Sequence, residues 1–303
     1  MWSRQAALVL GVLVVLPGCG TSAAVETAPS RPTVRISLRS TNLLSAFVDL
    51  TQFSIQAVTI GDAQKRLEAL EEGSIDVTNA AADVTYAAFY GRPSGAARLQ
   101  NIRGIALMYR SVVHVLIGPT VNPRNGLRGL RIVLGDPASG NSVLGERLVN
   151  SMGVPTSAIR GEFAPYDLAV DRLLKGDVDA VIATVHPPQE PIARALRGGA
   201  RLLEIDGPEV DRLRRHYPLL RRTLLPRGTY AGQDAPLHTV GVDLLLVCRA
   251  DLDATLVYEL TRALFEDIPR LARRQIDPYR AAATVIPLHP GAARYYRERE
   301  MQR

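Results

Sequence analysis

The chain has 303 residues, of which 47% are hydrophobic and 22% are charged. This ordinary globular composition excludes long-range disorder, a collagen-like repeat and a continuous coiled coil. The net charge is +6 at pH 7 and 34 of the 36 basic residues are arginine, which leaves nucleic acid, an anionic membrane or an anionic ligand open as partners.

The N-terminal residues have the features of an export signal. Arg4 precedes an apolar run at residues 6–16, which as a helix would span about 16 Å, against about 30 Å for the hydrocarbon core of a bilayer. The run is too short to cross a membrane, so residues 1–18 are predicted to be a signal peptide. The segment ends in Leu-Pro-Gly-Cys19, which resembles the lipobox of bacterial lipoproteins and predicts lipidation of Cys19. The alternative is simple secretion with Cys19 free.

The second cysteine agrees with this interpretation. If Cys19 carries lipid, Cys248 has no disulfide partner, because the chain has only two cysteines. Cys248 lies in an apolar run at residues 242–248 that predicts a buried strand, where a thiol acts as a small core residue. Residues 19–32 are small, polar and contain proline, which predicts a flexible tether before a folded body that begins at Thr33. We therefore expect an extracytoplasmic protein that is lipid-anchored to the bacterial cell membrane and does not span it.

From Thr33 onward, short apolar runs alternate with longer amphipathic stretches. This alternation predicts an α/β fold with mainly parallel sheets. The runs predicted to be strands are residues 34–38, 102–107, 112–117, 131–134, 180–183 and 240–247. The stretches predicted to be helices are residues 143–150, 167–174, 192–196 and 254–265.

One pattern occurs twice along the chain. Gly73 is followed by Asp76, and Gly176 by Asp179, and each pair reads as a helix, a glycine cap and an acidic residue that opens a strand. Such loops are common in α/β proteins, but as a repeat they predict two similar lobes that face each other across a cleft. Lobe 1 is predicted to hold residues 33–113 and 237–303, and lobe 2 residues 114–236. Open α/β sheets bind ligands at the carboxyl ends of their strands.

No catalytic motif stands out. The sequence contains no phosphate-binding loop, dinucleotide-binding glycine motif, zinc-protease motif, Cys-x-x-Cys pair or nucleophile elbow. The five histidines are scattered without the spacing of metal ligands. The absence of these motifs does not exclude an exported enzyme, which stays an alternative that the sequence does not favour. We expect no catalytic residue, no metal and no cofactor.

The clearest candidate for a ligand-binding loop lies at residues 135–142, between a predicted strand and a predicted helix. Small residues there let a ligand approach the backbone, and N–H groups at a helix start favour anions such as carboxylates. The candidate residues are Ser139, Gly140, Asn141 and Ser142. The alternative is an ordinary helix-capping turn.

A second candidate loop follows the first strand. Arg39 could form a forked pair with a carboxylate, and the adjacent Ser40 and Thr41 supply hydroxyl groups. A solvated surface arginine is the alternative. Further residues predicted to face the cleft are Asn79, Tyr86, Tyr109 and His186.

Four segments, in order along the chain, resemble the TAXI family of extracytoplasmic solute receptors that serve TRAP transporters. These are residues 127–141 with Leu-Arg-Gly-Leu-Arg leading into Ser-Gly-Asn, 174–180 with Lys-Gly-Asp-Val-Asp-Ala, 226–233 with Gly-Thr-Tyr, and 287–298 with Leu-His-Pro-Gly-Ala and Arg-Tyr-Tyr. Asp83 and Tyr86 also match the family pattern. Residues 39–44 lack the glycines that family members carry after the first strand.

The resemblance implies a two-lobed periplasmic-binding-protein fold of type II (a Venus flytrap) that closes by a hinge on a ligand in its cleft. The implied ligand is a small organic anion or an amino acid, such as glutamate or a dicarboxylate. The implied partners are TRAP transporter membrane subunits. A ligand-sensing lipoprotein of the same fold, which signals to a membrane receptor or kinase without transport, is the alternative. No nucleic-acid partner is expected, because the export signal separates the protein from it.

Overall fold

A ten-stranded mixed sheet runs through the part of the chain that the structure, a computed structural model, describes. The described residues are 31–38, 47, 52–91, 97–122, 126–136, 142–267 and 276–301, with the backbone alone at positions 142, 143 and 301. From Pro32 onward they belong to one compact unit. The predicted signal peptide, Cys19 and most of the predicted tether lie outside them.

The helices and strands alternate along the chain. The strands are β1 (Thr33–Ser37), β2 (Ser54–Ala57), β3 (Val77–Ala81), β4 (Ile102–Ile117), β5 (Arg131–Val133), β6 (Arg160–Glu162), β7 (Ala180–Val185), β8 (Arg201–Leu202), β9 (Arg221–Leu225) and β10 (Leu237–Arg249). The helices are α1 (Ala63–Glu71), α2 (Ala82–Tyr90), α3 (Ser142–Ser151), α4 (Tyr166–Lys175), α5 (Glu190–Arg197), α6 (Pro208–His216), α7 (Ala254–Glu266) and α8 (Pro290–Met301). None of these described helices combines the length and the hydropathy needed to cross a membrane.

The strand order is β2-β1-β3-β10-β4-β7-β5-β6, with β8 beside β4 and β9 beside β10. The first flank of the sheet, β2-β1-β3, is parallel, and so is the second flank, β7-β5-β6. The two long strands between them are antiparallel to each other and to the flanking strands. The prediction of mainly parallel sheets is therefore wrong for the whole molecule and right only within each flank.

Strand β4 also corrects a second prediction. The apolar runs at residues 102–107 and 112–117 are parts of one continuous strand of 16 residues. The polar residues between them do not form a turn, because Ser111 and Arg110 pair with Val242 and Asp243 of β10. The first part of β4 thus lies beside β10 and the second part beside β7. This continuous strand joins the two flanks.

The repeated glycine–aspartate pattern corresponds to a repeated structure. Asp76 accepts hydrogen bonds from the backbone N–H of Arg35 at 2.8 Å and from its guanidinium at 3.0 and 2.7 Å. Asp179 accepts the same three bonds from Arg131 at 2.8, 3.0 and 2.7 Å. In each flank the aspartate directly before the strand next to the long pair (β3 or β7) therefore holds the neighbouring parallel strand (β1 or β5) beside it. Glycine is required just before, because Gly73 and Gly176 have φ angles of 76° and 79°.

Three apolar clusters form the core among the described residues. The first contains side chains from helices of both flanks, including Leu67 of α1 and Leu148 of α3. The second packs β1, β3 and β10 against α7 and α8 and includes Cys248, which is fully buried, as predicted. Burial raises the pKa of this thiol far above its usual value, so it is an unreactive core residue. The third lies under α4 and α5 in the second flank.

Candidate functional site

Strand β10 pairs with β3 of the first flank from Leu244 onward, and β4 pairs with β7 of the second flank from Val112 onward. The two long strands therefore pass from one flank to the other near residues 109–112 of β4 and 241–243 of β10, a region termed the strand crossing. Tyr109 lies on this crossing, and His186 follows the carboxyl end of β7. Their rings are in contact, with centroids 4.6 Å apart and planes inclined by 47°. The carbonyl of Arg110 lies 3.2 Å from Nδ1 of His186; a carbonyl can only accept, so Nδ1 donates and Nε2 is the acceptor nitrogen of the neutral ring.

Three charged residues lie at the same crossing. Asp243 accepts hydrogen bonds from Nε of Arg110 at 2.8 Å and from its Nη2 at 3.3 Å. Arg280 reaches the same carboxylate through Nη2 at 3.5 Å. The group therefore has two guanidinium groups and one carboxylate, an excess of one positive charge. Gly241 makes room for it, since a Cβ there would lie 2.7 Å from Cγ of Arg110.

A hydrogen-bond chain fixes the second flank around His186. The side-chain amide of Gln189 donates to the carbonyl of His186 at 2.7 Å. Its other end accepts from the hydroxyl of Tyr166, the first residue of α4, at 3.1 Å. These bonds join the segment that follows β7 to the helix that follows β6, next to the strand crossing.

The other two predicted cleft residues that the structure describes, Asn79 and Tyr86, belong to the first flank. Asn79 is buried within β3, opposite Leu246 of β10, and its carbonyl accepts a hydrogen bond from the buried Arg66. Tyr86 on α2 packs against Tyr90, with ring centroids 4.5 Å apart and planes inclined by 43°. Strand β10 separates β3 from β4. The structure therefore brings Tyr109 and His186 together, while Asn79 lies on the strand at the far side of β10.

The two predicted ligand loops are described only in part. Arg39, Ser40, Thr41, Ser139, Gly140 and Asn141 lie outside the described residues. Ser142 is the first residue of α3. This helix begins close to the end of β5, because Gly145 is packed so tightly that a Cβ would lie 1.7 Å from the carbonyl oxygen of Leu134.

Asp83, which the sequence indicates only through the family pattern, is a partly buried acidic residue. It lies in the first turn of α2, directly after β3, and one carboxylate oxygen is buried without a hydrogen-bond partner among the described residues. Burial raises the pKa of this carboxyl, while the attraction of Arg147 on α3 opposes the rise. Because α2 belongs to the first flank and α3 to the second, Asp83 lies where the two flanks meet.

The internal repeat could have identified Asp83 from the sequence. Asp83 follows Asp76 by the same interval that separates His186 from Asp179 (76 to 83 and 179 to 186). Since Asp76 and Asp179 are structurally equivalent, Asp83 and His186 occupy matching positions beyond β3 and β7. No repeat or local motif marks Arg110, Asp243 and Arg280, because they are far apart in sequence.

Away from the strand crossing, a groove with a volume of about 300 Å³ lies between α3 and α6. It is lined by Arg147, Arg212, His216 and Tyr217 among others. Both helices end here, and Arg212 donates to the carbonyl of Ser151 at 2.8 Å. Cations are favoured at helix C-termini, so the positive charge of this groove has a structural explanation. Among the described residues no cluster of three or more histidine, cysteine, aspartate or glutamate side chains could hold a metal ion.

Comparison with solved structures identifies the class of fold. PhnD1 from Prochlorococcus marinus, in complex with methylphosphonate, matches with a TM-score of 0.50 and 13% identity over 78% of this chain and 85% of that chain. The periplasmic aliphatic sulphonate binding protein SsuA from Escherichia coli matches with a TM-score of 0.48 and 17% identity over 88% of this chain and 83% of that chain. The fold is that of the α/β periplasmic binding proteins, as predicted.

The family follows from the sequence match. Residues 42–299 match the model of the NMT1-like family, and the chain belongs to that family. The match spans both flanks and the crossing strands. The narrower TAXI assignment stays a prediction.

Proposed function

We propose that this protein is an extracytoplasmic solute-binding lipoprotein that captures a small organic anion or amino acid, such as glutamate or a dicarboxylate. It would deliver the solute to the membrane subunits of a TRAP transporter. Membership of the NMT1-like family and the periplasmic-binding-protein fold support a binding role. The observation that carries the anionic ligand is the excess positive charge at the strand crossing, where Arg110 and Arg280 share one carboxylate.

The binding mechanism in this proposal is hinge closure. Strands β4 and β10 connect the flanks, and their pairing is irregular between Asp243 and Leu245. Such a bulge bends a strand locally, so rotation of the flanks at this point would open and close the space above Tyr109 and His186. Ordered ring contacts and the Gln189–Tyr166 chain would present a prepared surface on the second flank. Closure would then bring hydrogen-bond donors from both flanks around a carboxylate of the solute.

The proposal includes neither catalysis nor a cofactor. The groups at the crossing are suited to holding charge: two guanidinium groups, a carboxylate already bonded to arginine, and an imidazole bonded to a carbonyl. We propose that the protein binds and releases its solute unchanged. We also propose that Cys19 carries the lipid that retains the protein at the outer side of the membrane. Mass spectrometry of the membrane-extracted protein tests the second point; an unmodified Cys19 would refute it.

Thermal denaturation in the presence of candidate solutes tests the binding function. The panel is L-glutamate, succinate, 2-oxoglutarate, methanesulfonate and methylphosphonate, each at about 1 mM. A ligand with a Kd of about 1 μM stabilises the folded protein by about 4 kcal/mol at this concentration, which corresponds to roughly 10 °C for a domain of this size. If none of the panel raises the melting temperature, the anionic-solute function is wrong.

A further inference from the structure

A short turn near the C-terminus lies beside the strand crossing. The N–H of Leu107 on β4 donates to the carbonyl of Ala281 at 2.7 Å, which ties the turn to the sheet. Within the turn, the N–H of Arg280 donates to Asp277 at 3.1 Å, and the N–H of Ala283 donates to Arg280 at 2.9 Å. The backbone at Arg280 is therefore fixed on both sides, although no regular helix or strand contains it.

The head of Arg280 is held much less firmly than its backbone. Its single contact to Asp243 is 3.5 Å long, and half of its side chain is exposed (50%). Arg110 contacts both oxygens of the same carboxylate and is half as exposed (25%). The charge of Asp243 is thus already satisfied by Arg110. The nearest acid in the turn, Asp277, is exposed and accepts from the N–H of Tyr279.

We propose that Arg280 is a ligand-binding residue that receives the anionic head of the solute: a carboxylate, sulfonate or phosphonate. The inference rests on the proposed function and assigns its principal anion contact to the C-terminal turn. An arginine makes two parallel hydrogen bonds to such a head. Arg280 therefore exchanges one long contact to Asp243 for two short ones to the solute, and Asp243 remains bonded to Arg110. The excess positive charge at the crossing is used without leaving a carboxylate unpaired.

Calorimetric titration with L-glutamate, succinate and methylphosphonate provides the first arm of the test. Arg280→Gln removes the charge and the forked donor, and Arg280→Lys keeps the charge alone. Arg297→Gln is the matched control, because Arg297 is an exposed residue of α8. For any solute that binds the wild type, we expect at least a 30-fold loss of affinity in R280Q, a smaller loss in R280K and no loss in R297Q. R280Q should melt within about 2 °C of the wild type, since its one ionic contact is long and exposed. Wild-type affinity in R280Q would overturn the assignment.

Crystals of the full chain soaked in sodium selenate provide the second arm, which does not need the natural solute. Selenium gives an anomalous signal, and the proposal expects a peak about 4 Å from the guanidinium carbon of Arg280 in the wild type and no peak there in R280Q. No peak at Arg280 would overturn the assignment of an anion site. If selenate binds at Arg280 but no carboxylate or phosphonate binds the protein, the anion site stands and the proposed function fails. If solutes bind equally well to R280Q, the function stands and the assignment fails.

Discussion

Acidification between pH 6.5 and 4 should destabilise the protein through one buried imidazole, His114 of β4. Its Nδ1 lies 2.9 Å from the carbonyl of Val112, to which it donates, and its Nε2 lies 3.0 Å from the hydroxyl of Tyr230, from which it accepts. This arrangement is satisfied only by the neutral ring, because a protonated Nε2 would face a hydroxyl that must then reverse its hydrogen bond. Burial lowers the pKa of His114 to about 4, although the hydrogen bond to Val112 opposes the change.

The magnitude follows from the difference between the folded and unfolded states. The pKa of His114 is about 4 in the folded protein against its ordinary 6.5, so between these values the unfolded chain binds a proton that the native protein does not. Each pKa unit corresponds to about 1.4 kcal/mol, so the neutral ring contributes up to about 3 kcal/mol that is fully present above pH 6.5. That contribution is lost as the pH falls towards 4.

Urea unfolding at half-unit steps from pH 7.5 to 4.5 measures this effect in the wild type and in His114→Gln. The free energy of unfolding of the variant should be about 1–2 kcal/mol lower at pH 7, because glutamine does not replace both hydrogen bonds of His114 and leaves a buried partner unsatisfied. The stability of the variant should also depend less on pH. The difference between wild type and variant is the informative quantity, since burial also lowers the pKa of His289. Asp76 and Asp179 act at lower pH. Burial opposes ionisation of Asp76, but its bonds to Arg35 lower its pKa below the usual range, and the bonds to Arg131 do the same for Asp179.

His216→Gln is the matched control, because His216 is exposed at the end of α6. Its pH profile should follow that of the wild type. Parallel curves for the wild type and H114Q between pH 6.5 and 4.5 would refute the reasoning, since the titrating group would then lie elsewhere.

The remaining predictions concern the junctions of the two flanks. Asp83→Asn should raise the melting temperature at pH 7 by about 2–4 °C, equivalent to about 1 kcal/mol, because the buried carboxylate resists ionisation; a lower melting temperature in calorimetry would contradict this. Asp76→Asn should lower the free energy of unfolding in urea by about 3 kcal/mol, and Asp179→Asn by about 1 kcal/mol. The reason is that the side chain of Asp76 is 7% exposed and that of Asp179 is 20% exposed. Equal losses in the two variants would argue against burial as the cause. Gly145→Ala should cost more than about 3 kcal/mol, since its Cβ would lie 1.7 Å from the carbonyl oxygen of Leu134; near wild-type stability on urea unfolding would show that α3 can shift freely.

The candidate site was only partly predictable. Tyr109 and His186 were expected at the cleft, and the structure brings their rings together. Arg110, Asp243 and Arg280 were not expected, because 133 residues separate Arg110 from Asp243, and 37 separate Asp243 from Arg280. No local pattern indicates such a group, since the pairing of β4 with β10 brings Arg110 to Asp243 and the docking of the C-terminal turn on β4 adds Arg280.

The sequence by itself determined the α/β class and several of the local elements. Apolar periodicity placed helices α3, α4, α5 and α7 within about two residues of their ends, and the repeated glycine and aspartate marked where β3 and β7 begin. These features depend on a few neighbouring residues, through side-chain periodicity and the left-handed conformation of glycine. The apolar run around Cys248 likewise predicted burial correctly.

Only the tertiary structure decided how these elements are joined. A hydrophobic run has the same appearance in a parallel and an antiparallel strand, so the sequence did not reveal that β4 and β10 are antiparallel to both flanks. Nor did it reveal that Arg35 and Arg131 are the equivalent partners of the two repeated aspartates. Strand direction and register are set by contacts between distant segments, and the excess charge at the crossing of β4 and β10 exists only once those contacts have formed.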